Sequence, residues 1–322
     1  MTELVKVEDL SITYGRADRP AVDGVTFSLA PGESLALVGE TGSGKTSVVM
    51  ALAQLLGPGA SIDARTMSFE GHDMLRMRGK ALRALRRERI GMVFQDPFGS
   101  WNPSRKIGTQ LLEGSRGAER QRLRSRLVEI LGRIGISRPE SRLEDYPHQY
   151  SGGMLQRTLI AGALLRGPSL VIGDEPTSAL DTTVQADILA LIAQLQQDRE
   201  LALVVVSHDL GVVARIAERT IVMYHGRMVE DAPTAELLTS PRHPYTINLI
   251  AAVPLLHGPR QRRLGVKVAQ GLPSLAGCVY AHRCALATEL CRTTQPELRQ
   301  VGQAQVACHF ADQSKELLEA AE

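Results

Sequence analysis

A chain of 322 residues, 43% of them hydrophobic, is long enough for one large domain or for one domain plus an appendage, and too apolar for disorder. Its formal net charge of +2, with 22% charged residues, argues against a nucleic-acid binder. The basic run from Arg76 to Arg89 carries Leu82 and Leu85 at helix-compatible spacing, as a solvated helix with a narrow buried stripe would. No stretch reaches the roughly 18 uninterrupted apolar residues of a membrane helix. The start MTELVKVEDLSITYG is acidic and strand-like, unlike a secretory signal, so a cytoplasmic chain is expected.

Along the chain, residues 34–38 form an apolar strand, followed by a Gly-rich turn and the helical run TSVVMALAQLL. The segments LVIGD (170–174), LVVVS (203–207) and IVMYHG (221–226) are short and apolar, and read as core strands. Between about 97 and 167 strand signals vanish, while Leu123, Leu127, Leu131 and Ile134 fall on one helical stripe. After residue 235 prolines punctuate the chain and the four cysteines begin. These patterns predict an α/β fold with a mainly parallel core sheet. They place a main domain over 1–235, with a helical insertion at about 97–167, and a small C-terminal extension over 236–322.

The stretch GETGSGKT (39–46) follows a predicted strand and opens a predicted helix, the setting in which the pattern G-x-x-x-x-G-K-[ST] signifies a phosphate loop of a P-loop NTPase. Gly39, Gly42 and Gly44 let the backbone curl so that the N–H groups of the loop, through Glu40, Thr41 and Ser43, face phosphate oxygens. The helix that follows adds the positive end of its dipole. Lys45 is expected to reach the β- and γ-phosphates of ATP, and Thr46 to ligate Mg²⁺. In LVIGDE (170–175), Asp174 at the polar end of a strand can orient the magnesium, and Glu175 can polarise the attacking water.

The segment SGGMLQR (151–157) resembles the signature of the ATP-binding-cassette family. Around it stand the family's other motifs in order: the phosphate loop, VFQDP with Gln95, DEPTSALD (174–181) and SHD with His208. The physical reading agrees, since Ser151 begins a helix and offers a hydroxyl and free N–H groups to an anion. The resemblance implies a head-to-tail dimer in which Ser151, Gly152 and Gly153 cap the nucleotide of the opposite subunit. It also implies that Tyr14 stacks on adenine and that Gln95 senses magnesium and couples to membrane subunits. Asp181 would contact across the dimer, and His208 would hold the γ-phosphate. Tyr150 and Met154 depart from the family's commonest signature, and Gly173 stands where a bulkier residue is more frequent.

FQDPFGSWNP (94–103), RHPYT (242–246) and the cysteine-bearing tail resemble the oligopeptide, dipeptide and nickel importers. That branch implies a second ATPase subunit, identical or different, two membrane permease subunits and, indirectly, a substrate-binding protein. It implies peripheral attachment to the cytoplasmic side of the membrane and no nucleic-acid partner. A soluble cassette ATPase acting on nucleic acid or ribosomes is the alternative. Its repair form would carry a long coiled coil between Lys45 and Ser151, and its translation form two cassettes in one chain.

Trp101, the sole tryptophan, is either an anchor for the membrane subunits or a packing residue of the helical insertion. Cys278, Cys284, Cys291 and Cys308 are spaced C-x5-C-x6-C-x16-C, wider than a zinc ribbon's pairs. Four thiolates are the number a [4Fe–4S] cluster uses, and the tail resembles that of peptide-importer ATPases in which such a cluster occurs. Zinc on the same four ligands, or with His309 replacing one of them, and four unconnected buried thiols stay open as alternatives.

Overall fold

The structure, a computed structural model, describes residues 3–17, 19–177, 184–186, 188–190, 192, 194, 201–252, 276–313 and 316. They fall into two compact units, one built mainly on Arg76–Val206 and the other on Leu4–Ser28, Ser34–Leu75 and Ser207–Glu322.

In the first unit the parallel strands Ile90–Val93, Leu170–Asp174 and Ala202–Val206 lie side by side, with Leu170–Asp174 in the centre. Every residue of Leu170–Asp174 and Ala202–Val206 is buried. A strand covered on both faces is apolar throughout and does not alternate, which is why these runs stand out in the sequence. Gly91 permits a close strand–helix contact: a Cβ there would sit 2.5 Å from the carbonyl oxygen of Ala163, on the helix Gly152–Leu164. The basic run becomes the helix Gly79–Arg89, which buries Leu82 and Leu85. The helix Gly117–Arg133 buries Leu123, Leu127 and Leu131 and packs on Gly152–Leu164. Trp101 is 7% exposed and joins Ile107, Tyr150 and Leu155 in a local core. It is a packing residue, which decides between the two readings its sequence allowed.

The second unit contains a sheet absent from the sequence reading. Its long strand Val5–Tyr14 has Val22–Leu29 on one side and Thr66–Phe69 on the other, and pairs antiparallel with Thr66–Phe69 and Ala60–Asp63. A second strand group begins with Ser34–Val38, which runs parallel to Arg219–Tyr224. That strand ends two residues before the predicted IVMYHG segment does. His225 and Gly226, with φ of 45° and 84°, form a two-residue turn into the antiparallel strand Arg227–Pro233. Positive φ at both positions is what a type I′ hairpin turn requires. The tail strand Ala304–Val306 adds to the edge of Arg227–Pro233, pairing Glu230 with Val306, and folds back on Arg299–Val301. Among the described residues no helix is long and apolar enough to cross a membrane.

Candidate nucleotide-binding and hydrolysis site

The predicted site residues are divided between the two units. Tyr14, the loop 39–46 and His208 belong to the second, and Gln95, Ser151, Gly152, Gly153, Asp174 and Glu175 to the first. Asp181 lies outside the described residues.

The loop 39–46 leaves the buried strand Ser34–Val38 and enters the helix Lys45–Leu52. Its glycines are forced by space as well as by dihedral angle. A Cβ on Gly39 (φ 145°) would stand 2.2 Å from the carbonyl oxygen of Met223, and one on Gly44 (φ 96°) would stand 2.6 Å from that of Ala21. Gly42, at φ 82°, has open space around it and is needed for its dihedral angle alone. The Lys45 side chain is buried, and its ammonium donates to the carbonyl oxygens of Gly39 (2.8 Å) and Glu40 (2.9 Å) and to Ser43 Oγ (3.1 Å). The cation is thus curled into a ring of oxygens that the loop itself supplies. Thr46 is exposed on the first helical turn, and exposed Tyr14 shares a hydrogen bond with Ser47 Oγ at 3.0 Å. His208 is exposed, just before the short helix Leu210–Ile216, which Asp209 caps by accepting from the N–H groups of Gly211 and Val212.

In the first unit, Asp174 is buried at the end of its strand. Glu175 follows with φ of 49°, a left-handed conformation costly for a residue with a side chain. Two bonds hold it there. Its N–H donates to the carbonyl of Val206 (2.9 Å), and its carboxylate accepts from Gln95 Nε2 (2.9 Å). The structure therefore joins two predicted site residues that lie 80 positions apart. Sequence reasoning left Gln156 without a task. Fully buried in the helix Gly152–Leu164, it donates from Nε2 to the carbonyls of Pro176 (2.7 Å) and Phe94 (3.5 Å). One side chain thus ties the residue after Glu175 to the residue before Gln95. Its position five residues into the signature segment was the available signal.

Ser151 caps the helix Gly152–Leu164, its hydroxyl accepting from the N–H of Met154 (3.3 Å). The departures from the usual signature have local reasons. Tyr150 is buried beside Trp101, donates its hydroxyl to the carbonyl of Arg142 (2.7 Å) and has its phenol pushed up to about 12 by burial. Met154 packs against the same cluster. Gly173 lies under the ring of Pro176, whose Cγ a Cβ would meet at 2.8 Å. Phe98, which sequence reasoning passed over, is 62% exposed.

None of the four cysteines is in a disulfide; all are buried, and all four line one cavity together with His243 and His309. Burial pushes the Cys308 thiol up to about 12 and that of Cys278 upward, with smaller contributions from the neighbouring cysteines. Among the described residues no group of three or more His, Cys, Asp or Glu side chains is drawn tightly enough together to hold a metal ion. The four thiols thus share a cavity without a formed ligand set for zinc among the described residues. Sequence spacing cannot report how closely thiols converge, because that depends on the packing of the turns between them. For magnesium, the expected donors Thr46, Gln95 and Asp174 are a hydroxyl, an amide and a carboxylate, the hard oxygens that ion prefers.

The ABC transporter family model matches residues 22–178. The model for the C-terminal region of oligopeptide/dipeptide transporters matches residues 229–291. The chain is 39% identical over 313 residues to the dipeptide transport ATP-binding protein DppD of Haemophilus influenzae, covering 95% of each chain. It is 42% identical over 271 residues to the oligopeptide transport ATP-binding protein OppD of Bacillus subtilis, covering 82% of this chain and 75% of that one. Among solved structures, it is similar to the dimeric, post-hydrolysis ATP-binding cassette MJ0796 bound to ADP and Pi, with a TM-score of 0.62 and 27% identity over 71% of this chain and 98% of that one. With its phosphate loop, its strand-end carboxylates and these likenesses over most of its length, the chain belongs to the ABC transporter ATPases, in their oligopeptide/dipeptide branch.

Proposed function

We propose that this chain is one of two ATP-hydrolysing subunits that drive uptake of peptides through separate membrane subunits, with a substrate-binding protein delivering the cargo. The observation that carries the reading is the end-to-end likeness to a dipeptide transport ATP-binding protein, 95% of each chain, reinforced by the peptide-transporter match in the tail. Nickel or metal chelates, the other cargo of the branch, have no such support. The likeness to a dimeric cassette supports pairing with a second ATPase subunit. The chain would work at the cytoplasmic face of the membrane, as a cassette over 1–235 with an extension over 236–322.

In this proposal Lys45 and the loop N–H groups bind the ATP phosphates, except the N–H of Glu40, which donates to Tyr245 Oη instead, and Tyr14 stacks on the base. Thr46, Gln95 and Asp174 hold Mg²⁺, which when bound neutralises charge on the phosphate oxygens. Glu175 accepts the proton of the attacking water, and His208 steadies the γ-phosphate. Ser151, Gly152 and Gly153 meet the partner's nucleotide, and Asp181 contacts across the pair. The Gln95–Glu175 hydrogen bond supports a shared task for those two side chains. Gln95 leaves the carboxylate with acceptor capacity for a water.

Cys278, Cys284, Cys291 and Cys308 would hold a [4Fe–4S] cluster. Supporting it is the single cavity that all four thiols line. A bound cluster would staple a small tail that has little core of its own. Anaerobically purified protein should then be brown, with about four irons per chain; colourless, iron-free protein removes this part. The transport reading is tested by co-expression with the two membrane subunits. Copurification and ATPase activity stimulated by peptide-loaded binding protein are expected, and a chain that never copurifies with them sinks it.

A further inference from the structure

Every hydrogen-bonding group of Glu40, the second residue of the phosphate loop, is taken. Its N–H donates to Tyr245 Oη at 2.8 Å, and its carbonyl accepts Lys45 Nζ at 2.9 Å. Both carboxylate oxygens accept from the same guanidinium nitrogen of Arg283, each at 2.9 Å. Arg283 stands immediately before Cys284, and Tyr245 lies buried on the helix Pro244–Ala251. The tail thus grips the loop at a residue 243 positions away.

The grip is braced from behind. The same Arg283 nitrogen donates to Tyr224 Oη at 3.4 Å. The Tyr224 ring packs against Tyr245, with centroids 4.5 Å apart, and edge-on against Tyr280 at 5.2 Å. Tyr280 in turn accepts at its hydroxyl from Asn248 Nδ2 (2.9 Å). The aromatic wall that carries Arg283 is therefore built by the strand Arg219–Tyr224, the helix Pro244–Ala251 and the turn between Cys278 and Cys284.

We propose that Arg283 is a positioning residue of the nucleotide site, acting through Glu40 to fix the part of the phosphate loop whose carbonyl seats the Lys45 ammonium. The inference rests on reading 39–46 as the phosphate loop, and it makes the cysteine-bearing tail part of the nucleotide machinery. Loss of Arg283 leaves Glu40 held to the tail by Tyr245 alone, so its carbonyl seats the Lys45 ammonium less firmly. The pair is partly exposed, so its effect is that of a solvent-screened bond, about two- to fivefold in nucleotide affinity.

The test is a double-mutant cycle on Mg·ATP affinity in the full chain, using Arg283→Gln, Glu40→Gln and the two combined. Positioning requires that each single change weaken binding about two- to fivefold, that the combination be no weaker than either, and that Arg283→Lys recover most of the loss. The KM for ATP should rise by the same factor while kcat stays within about twofold. A purely electrostatic role gives a different pattern, because Glu40→Gln would then tighten binding by removing a negative charge near the phosphates. That outcome, additive losses, or an Arg283→Gln variant identical to the parent overturns the proposal. If Arg283→Gln does not fold, Glu40→Gln and Arg283→Lys carry the decision, because tightening or no change in the first overturns it. Lys45→Ala separates the two readings: if it still binds Mg·ATP, the phosphate-loop assignment fails. If it loses binding while the cycle shows no coupling, only the positioning role fails.

Discussion

The loop 39–46 and the strand end at Asp174–Glu175, to which we assign one proposed reaction, are held by opposite means. Around the loop, backbone meets backbone: Gly39 and Gly44 have no room for a Cβ, and the Lys45 ammonium rests on loop carbonyls. At the strand end, side chains do the holding. Gln95 bonds the Glu175 carboxylate, and Gln156 ties both flanking segments to the signature helix. Under the proposed roles, binding would depend on a conformation that few substitutions leave intact, and hydrolysis on a network whose members can be removed one at a time.

The largest test of that contrast is Glu175→Gln. Nucleotide affinity is expected to stay at the parent value while single-turnover hydrolysis falls by roughly 10²–10⁴, the usual contribution of a general base. An equal fall in affinity would show that the two regions are not separable.

Within the first unit, Trp101→Ala should lower stability by about 3–5 kcal/mol, the range for emptying a large aromatic site in a core. Phe98→Ala, removing an exposed ring, should change it by no more than about 0.5 kcal/mol. Chemical denaturation of the two variants measures both. A Trp101 variant as stable as the parent would mean that the buried cluster does not support the signature turn.

Gln156→Met keeps the side-chain volume but removes the donor shared by Pro176 and Phe94. Hydrolysis should drop, by up to about a hundredfold if the segments bearing Gln95 and Glu175 drift by an ångström, with ATP binding unchanged. Unchanged turnover would leave Gln156 a packing residue only.

A further test concerns the tail, and it is read through pH. His243 is fully buried, its Nδ1 accepts the N–H of Tyr245 at the start of a helix, and burial lowers its pKa from 6.5 to about 3. A proton on Nδ1 would remove that acceptor. The unfolded chain binds this proton from about pH 6.5 downward and the folded chain only near pH 3, so stability present at neutral pH is lost as the pH falls between those values. The steepest slope is about 1.4 kcal/mol per pH unit. Buried Glu230 has its pKa raised by desolvation and acts in the opposite sense, so the comparison must be with His243→Asn, which retains an acceptor and cannot titrate. Melting curves of parent and variant should converge as the pH falls below 6.5; parallel curves would exclude His243 as the titrating group.

The amino-acid sequence alone determined the loop 39–46, the all-buried strand Leu170–Asp174 with its terminal carboxylates, the Ser151 cap and the leucine stripe of Gly117–Arg133. Each is a local requirement, met by residue type within a few positions: glycines for positive φ, apolar runs for strands covered on both faces, a hydroxyl for an open helix end. Only the tertiary structure decided that Trp101 packs inward, that Gln95 bonds Glu175 across 80 positions, that the tail adds strands to the edge of Arg227–Pro233, and that Arg283 reaches Glu40 across 243. The strand-like start became Val5–Tyr14, but its antiparallel partners escaped for the same reason. Strand pairing and long-range side-chain bonds depend on which surfaces the rest of the fold brings together, and local residue pattern carries no record of that.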